Sequence, residues 1–332
     1  MLIRIAILFA IGLSVGCGQS RAPATCGVLC GNPTDGGGND AGEDFVLSWP
    51  IEGLEGHDWV INNYVDLDEE EGKLADYHGS VQDDAKTYDG HRGTDIDIAH
   101  FRRMEEGVKV LAAFPGTVVA VTDIHDDRSI EWFDGCADFT NAIQVRHANG
   151  YLTKYLHIKR DSALVEVGES VKTGDALALV GSAGCSTWPH LHFEVRDPSD
   201  HVVDPFQSEL WANSPVYNTL LGLMDIVITQ GELTSVDELR DPAANVTSVL
   251  ATDTLGVGAL VAGGGAGDTV SIVLQRPDTS TYTTRSVNYE QVYRFAKWYW
   301  NIELEAIPGT WNGIVNLNDD TVTTFELNVV AD

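Results

Sequence analysis

Seven consecutive residues, His190–Arg196, alternate between polar and apolar side chains without a break in the segment HLHFEVR. Successive side chains of a β-strand point to opposite faces, so this alternation predicts a strand and also assigns its two faces. Leu191, Phe193 and Val195 are expected to point into a core, while the two histidines share the other face. Two neighbouring imidazoles on a polar face indicate a functional site, because imidazole binds metals and transfers protons near neutral pH.

The sequence around this strand predicts a mainly β protein. From Phe45 to about Pro205, short apolar segments are interrupted by Gly, Asp and Asn, a pattern typical of an antiparallel β domain. The predicted strands are VKVLAAF, GTVVAVTD, NAIQVRH, YLTKYLHI, DALALVG and HLHFEVR. After about Ser214, further strand patterns occur in DIVITQ, GVGALVAG, DTVSIVLQ, STYTTRSV, VYRFAKWYWNI, TWNGIVNL and TTFELNVV. Their number and spacing predict a C-terminal β-sandwich of immunoglobulin-like type.

The N-terminus predicts export. Residues 1–17 hold one positive charge and then an apolar run that is too short to span a membrane, as in an export signal. The segment SVGC ending at Cys17 is similar to a lipobox, in which Cys17 would be lipidated, although Ser14 stands where an aliphatic residue is usual. Cleavage after the segment APA ending at Ala24 is the alternative. Residues 18–43 are rich in Gly, Asp and Asn and predict a flexible linker. The predicted domains follow at residues 44–210 and 211–332.

A second segment supplies further candidate metal ligands. His91 and Asp95 stand four residues apart in HRGTD, with Gly93 between them. Zinc accepts both imidazole nitrogen and carboxylate oxygen, but an acidic chain contains such a pair by chance, so alone it is weak evidence. His157, at the end of YLTKYLHI, is by itself as consistent with a structural role as with catalysis.

The cysteine count agrees with export. Removing Cys17 from the five cysteines, by lipidation or by cleavage, leaves four that can pair fully in an oxidising compartment. Of the three connectivities, the favoured one pairs Cys26 with Cys30, which are close in sequence. It also pairs Cys136 with Cys185, which flank segments near the predicted site. Neither of the latter belongs to a Cys-x-x-Cys pair, so a disulfide is favoured over a zinc role.

Net charge excludes one class of partner. The chain has 20 Lys and Arg against 50 Asp and Glu, a formal charge of -30. No basic cluster interrupts this excess, so binding to nucleic acid is not expected.

Three segments together resemble a known family. The HxGxD segment, a later YxH and the stretch GSxGxSTxPHLHFEVR are similar, in order and spacing, to the lysostaphin-like, LytM-type zinc metallopeptidases. The segment TYDGHRGTD and the added Cys136 look most like the secreted β-lytic branch of that family. The resemblance covers about residues 45–206. It implies that residues 44–210 are an antiparallel β peptidase domain of LytM type, followed by the sandwich as an accessory domain.

The resemblance also assigns the site. It implies that His91, Asp95 and His192 bind Zn²⁺ and that His157 and His190 are the catalytic histidines. Three protein ligands leave a fourth tetrahedral position for water, which is typical of a catalytic zinc site.

The implied function is a zinc-dependent endopeptidase that hydrolyses peptide bonds in bacterial cell-wall peptidoglycan. Its partners would be peptidoglycan peptides, and it would contact a membrane only through a lipid on Cys17. The expected location is extracytoplasmic: the cell envelope, with a lipid anchor at the outer membrane, or the medium. Two alternatives stay open, a non-catalytic LytM-type regulator of other wall hydrolases and a secreted protease that acts on Gly-rich proteins. The sequence does not predict an oligomeric state.

Overall fold

The computed structural model describes residues 44–79 and 86–331. The predicted export signal and linker, with Cys17, Cys26 and Cys30, lie outside these ranges. Residues Asp44–Asp332 belong to one compact unit. Within the described ranges, every helix is too short or too polar to cross a bilayer.

The N-terminal β region is built on short strands and one short helix. Its helix, α1, is Phe101–Glu106, and a 3₁₀ helix occupies Cys136–Phe139. Its strands are β1 Trp59–Asn63, β2 Thr94–Ile98, β3 Lys109–Leu111, β4 Gly116–Thr122, β5 Ala142–Arg146, β6 Leu152–Leu156, β7 Ser170–Val171, β8 Ala176–Leu179, β9 His190–Arg196 and β10 Val202–Val203.

Strand β9 lies in the middle of the main sheet. The strand order is β1-β2-β9-β6-β5-β4-β7, with β10 also paired to β9, and all of these pairs are antiparallel. Strands β3 and β8 form a separate two-stranded sheet. Leu191, Phe193 and Val195 pack into the main core, as the alternation predicts. The polar face of β9 is buried as well.

The C-terminal region forms two sheets. Its strands are β11 Gly222–Gln230, β12 Ser248–Leu250, β13 Thr254–Ala262, β14 Thr269–Gln275, β15 Thr281–Asn288, β16 Phe295–Glu303, β17 Gly309–Leu317 and β18 Asp320–Val330. One sheet has the order β11-β13-β16 and the other β12-β18-β17-β14-β15. Leu255 and Ile302 of the first sheet share a buried cluster with Trp311 and Leu327 of the second, so the sheets pack face to face.

The seven predicted C-terminal strands are confirmed, and the mainly β fold class with them. The short β12, which pairs in parallel with β18, has no clear sequence signal. The immunoglobulin-like type of the sandwich stays a prediction, and so does the domain boundary between residues 210 and 211.

The sandwich contacts the N-terminal β region through charged and polar side chains. His100, which caps helix α1, lies 2.7 Å from a carboxylate oxygen of Asp225, and Arg102 donates to the same oxygen at 3.0 Å. Arg128 donates to Asp241 at 2.6 Å. Arg128 belongs to the loop that follows strand β4, and the same loop carries Trp132, which borders the site described next.

Candidate active site

Strands β2 and β9 bring three predicted metal ligands to one point. Asp95 on β2 stands opposite His192 on β9, and His91 precedes β2 by a short loop. Oδ1 of Asp95 lies 2.8 Å from Nδ1 of His192 and 3.1 Å from Nε2 of His91, and these two nitrogens are 3.1 Å apart. All three side chains are buried. Three ligand atoms therefore form a compact triangle.

This triangle fits a zinc ion. Bonds of about 2.0–2.2 Å around tetrahedral zinc place neighbouring ligand atoms roughly 3.3 Å apart, close to the separations found here. Two imidazole nitrogens and one carboxylate oxygen also form a donor set that zinc prefers. Burial raises the pKa of Asp95, but the imidazoles of His91, His190 and His192 outweigh it and hold that pKa well below its usual range. The carboxylate is therefore ionised, as a metal ligand must be.

Hydrogen bonds fix which nitrogen of each imidazole faces the triangle. His91 donates through Nδ1 to the backbone oxygen of Tyr64 at 2.6 Å, which leaves Nε2 as its free lone pair. Nε2 of His192 lies 3.2 Å from a carboxylate oxygen of Glu194, and a proton on that nitrogen leaves the lone pair of Nδ1 for a metal. A carboxylate behind a ligating histidine is a common support of metal sites because it sets the tautomer and raises ligand basicity.

Glu194 is itself held in place. Arg196 donates to one of its oxygens through two nitrogens, at 2.9 and 2.6 Å. Burial raises the pKa of Glu194, but the hydrogen bonds and charges of His192 and Arg196 outweigh it and lower that pKa to about 2. Glu194 is therefore an anion next to His192 across the neutral pH range.

Gly93 is required for close packing. A Cβ at this position would lie 2.6 Å from Nε2 of His192 and 2.6 Å from the backbone oxygen of Phe193. No side chain fits at that distance, so the glycine of HxGxD lets β2 approach β9 closely.

The two predicted catalytic histidines lie beside the triangle. His157 donates through Nδ1 to the backbone oxygen of Ala183 at 2.6 Å, and His190 through Nδ1 to that of Trp188 at 2.7 Å. In its neutral form, each imidazole therefore has its lone pair on Nε2, as a proton acceptor requires. Their ring centroids are 4.6 Å apart, and Nε2 of His190 is 3.5 Å from Oδ1 of Asp95. All five predicted residues thus come together.

The backbone at His157 is unusual. Its φ is 63°, in the left-handed region that non-glycine residues rarely adopt. Such a conformation costs on the order of 1–3 kcal/mol and occurs most often at functional sites. Here it follows the end of strand β6, where the hydrogen bond to Ala183 holds the ring beside His190.

Two adjoining cavities border the site and are together called the groove. One cavity is lined by Asp97 and His190, and a second by His157 and Glu194. Both cavities share the side chains Tyr88, Trp132 and Cys185. The ring centroids of Tyr88 and Trp132 lie 5.8 Å apart, and Trp132 is 58% exposed. Aromatic side chains therefore stand at the groove where a bound chain would pass.

The predicted disulfide between Cys136 and Cys185 is present. It joins the loop that carries Trp132 to the segment 183–188. That segment supplies the backbone oxygens of Ala183 and Trp188, to which the two histidines donate. The disulfide therefore restrains the groove and the histidine acceptors together.

Two residues at the site have no assigned role in the sequence analysis. Glu194 could have been found, since it stands two residues after His192 on the same strand face. Asn63 could not. It donates through Nδ2 to Oδ2 of Asp95 at 3.0 Å, and it reaches that carboxylate where the pairing of β1 with β2 shifts register between Ile61 and Asn63. A β-bulge of this kind re-aims side chains and has no reliable local signature.

Comparison with known proteins gives a family match whose range contains the site. Residues 89–205 match the family model described as Peptidase family M23. The chain is 38% identical over 104 residues to the peptidoglycan DD-endopeptidase ShyC of Vibrio cholerae, covering 31% of this chain and 19% of that protein. It is 37% identical over 99 residues to the DD-carboxypeptidase/endopeptidase Mpg of Neisseria meningitidis, covering 30% and 21% respectively. The chain thus spans about a fifth of the length of these curated relatives.

Solved structures give weaker matches. The catalytic domain of lysostaphin from Staphylococcus simulans is 26% identical with a TM-score of 0.27, covering 36% of this chain and 77% of that chain. A zinc-containing peptidase from Vibrio cholerae is 27% identical with a TM-score of 0.28, covering 47% and 41%. At these TM-scores the likeness carries no argument of its own.

Residues 89–205 are therefore similar to Peptidase family M23, in line with the resemblance to LytM-type peptidases. The matched residues include the three candidate metal ligands and both candidate catalytic histidines.

Proposed function

We propose that this protein is a zinc-dependent endopeptidase that hydrolyses peptide bonds in bacterial peptidoglycan. The observation that carries the proposal is the convergence of His91, Asp95 and His192, with two more imidazoles beside them. When bound, Zn²⁺ supplies Lewis-acid polarisation of a carbonyl and lowers the pKa of water to about 7.

The chain's own residues supply the proton transfers. His157 and His190 each present an Nε2 lone pair, held by a backbone acceptor at Nδ1. One imidazole takes a proton from the water that attacks the peptide carbon, and the other, in its protonated form, gives a proton to the departing amine. A C–O bond forms and the C–N bond breaks, so the products are a carboxylic acid and an amine. Such general acid and base assistance typically contributes about 10² to 10⁴ in rate.

The substrate assignment is supported by the relatives and by the groove. ShyC and Mpg are named as endopeptidases, and the name of ShyC specifies peptidoglycan. The groove is lined by the aromatic side chains of Tyr88 and Trp132, which can contact a bound chain. Action outside the cytoplasm accords with the disulfide, since disulfides persist in oxidising compartments. Anchoring by a lipid on Cys17, at the outer membrane, and release into the medium are the two forms of that proposal.

The test is mass spectrometry of fragments released from purified peptidoglycan by residues 44–332. New amine and carboxyl ends should appear with the unmodified protein and not with His190→Ala. The matched control is His57→Ala, because the side chain of His57 is 73% exposed and lies outside the groove.

Absence of release from every wall type by protein with bound zinc would contradict the proposal. Stimulation of a second wall hydrolase would then indicate the non-catalytic regulator. Cleavage of Gly-rich proteins without cleavage of walls would indicate the secreted protease.

A further inference from the structure

We infer that the C-terminal sandwich is part of the active site and that Arg294 positions the metal ligand Asp95 through Asn63. Arg294 immediately precedes strand β16 of the sandwich. Its Nη1 donates to the side-chain oxygen of Asn63 at 2.8 Å and to the backbone oxygen of Asn62 at 2.5 Å. Asn63 in turn donates through Nδ2 to Oδ2 of Asp95 at 3.0 Å. One continuous chain of hydrogen bonds therefore joins the sandwich to the ligand.

Arg294 and Asp95 together fix which way the amide of Asn63 points. An amide carries an acceptor oxygen and a donor nitrogen that can exchange places by a half-turn. A guanidinium only donates, so the atom of Asn63 that faces Arg294 must be the oxygen. The nitrogen then faces Asp95. Without Arg294, the amide oxygen loses its donor, and only the bond to Asp95 still orients the side chain.

The orientation of Asn63 matters because of which oxygen of Asp95 it holds. Asn63 contacts Oδ2, whereas Oδ1 is the oxygen that faces His91 and His192. Tying Oδ2 to a donor fixes the rotation of the carboxylate and leaves Oδ1 directed at the metal position. Hydrogen-bond partners of this kind typically change metal affinity by about 10- to 100-fold when they are removed.

A second contact from the sandwich reaches the catalytic histidines. The ammonium of Lys297 lies 4.2 Å from the ring centroid of Trp188, whose backbone oxygen accepts the hydrogen bond of His190. Trp188 is also tied to β2, since its Nε1 donates to the backbone oxygen of Ile98 at 3.0 Å. Arg240 of the sandwich donates to the backbone oxygen of Thr187 at 3.1 Å. The segment that orients His190 is therefore held partly by the sandwich.

The test is a double-mutant cycle on zinc affinity, which needs no activity measurement. Residues 44–332 would carry Arg294→Ala, Asn63→Ala or both, and the Kd for Zn²⁺ would be measured by competition with a chromophoric chelator. Each single variant should bind zinc about 10- to 100-fold more weakly. The double variant should be no weaker than the weaker single variant, because both substitutions break the same chain of bonds. Arg276→Ala is the control, since Arg276 pairs with Glu305 within the sandwich.

Two results would overturn the inference: wild-type affinity in Arg294→Ala, or effects of the two single variants that multiply fully in the double variant. If Arg294→Ala does not fold, as judged by thermal melting, Arg294→Met is measured instead. Methionine keeps an unbranched apolar stem but has no N–H donor for the oxygens of Asn62 and Asn63, so zinc binding should still weaken, and wild-type affinity would overturn the inference.

The inference rests on the proposed zinc site, and the outcomes separate the two. Zinc binding that depends on Arg294 but comes without hydrolysis would contradict the proposed function alone. A zinc affinity that does not change in Arg294→Ala would contradict the inference alone. Absence of zinc binding in the wild type would contradict both.

Discussion

Glu194→Gln is a sensitive probe of the metal site because it changes charge and hydrogen bonding with little change in size. Glu194 accepts hydrogen bonds from His192 through one oxygen and from Arg196 through the other. Glutamine has one acceptor oxygen, so it can satisfy only one of these two donors. If the oxygen turns to Arg196, the amide nitrogen faces Nε2 of His192. That arrangement favours the tautomer of His192 with its proton on Nδ1. A protonated Nδ1 cannot bind a metal.

The magnitude follows from the bond that is lost. A hydrogen bond to a charged group contributes about 1.5–3 kcal/mol, against about 1 kcal/mol for a neutral one. A difference of about 1–2 kcal/mol corresponds to roughly 5- to 30-fold in an equilibrium constant, within the range usual for supports of metal ligands. We therefore expect the Kd for Zn²⁺ to rise about tenfold in Glu194→Gln.

The assay is competition with a chromophoric chelator on purified residues 44–332, together with the melting temperature of the metal-free protein. Glu166→Gln is the matched control because Glu166 is exposed and lies outside the groove. An unchanged Kd in Glu194→Gln would refute the reasoning that Glu194 sets the tautomer of His192. A lower melting temperature with an unchanged Kd would show only that the buried Arg196 has lost its carboxylate partner.

Three further predictions concern catalysis, the disulfide and pH. His157→Ala and His190→Ala should each lower the rate about 10²- to 10⁴-fold while zinc stays bound, measured by peptide hydrolysis and metal analysis. Replacing Cys136 and Cys185 by serine opens a loop with a sequence separation of 49 residues, which should lower the free energy of unfolding by about 4 kcal/mol in a denaturant titration. Burial lowers the pKa of His147, so stability should fall as the pH drops below about 6.5, and His147→Gln should reduce that fall between pH 8 and pH 5.5.

Each of these predictions has an outcome that contradicts it. Wild-type rates in either histidine variant would remove that residue from the proposed chemistry. The serine variant and the reduced wild type are expected to have the same unfolding curve. If the serine variant instead unfolds like the oxidised wild type, the disulfide adds no stability. The same pH dependence in His147→Gln and wild type would assign the acid sensitivity to other groups.

The sequence by itself determined the strand that carries the site. The unbroken alternation of His190–Arg196 predicts β9 with its observed bounds and its two faces, because side-chain direction along a strand is a local property. The apolar segments likewise predict β3, β4, β5, β6 and β8, but not β1 and β2, nor the two-residue β7 and β10, which are too short to show a period. The six-residue helix α1 spans fewer than two turns and has no clear pattern.

The site was predictable only in part, and for different reasons at different residues. Resemblance to a family predicted that five residues lie together: His91, Asp95, His157, His190 and His192. No local pattern indicates that segments a hundred residues apart will meet. Glu194 had a local signal, its position on the same strand face as His192. The pairing of Cys136 with Cys185 followed from their closeness to predicted site segments, and the structure confirms it.

Only the tertiary structure decided the role of the sandwich. Arg294 lies more than two hundred residues after Asn63 in sequence, and nothing in either segment indicates a partner. Their contact depends on a bulge that re-aims Asn63 and on the packing of two β regions into one unit. Sequence patterns record periodicity along a chain, whereas bonds of this kind depend on how separate sheets pack, which is settled only when the whole unit folds.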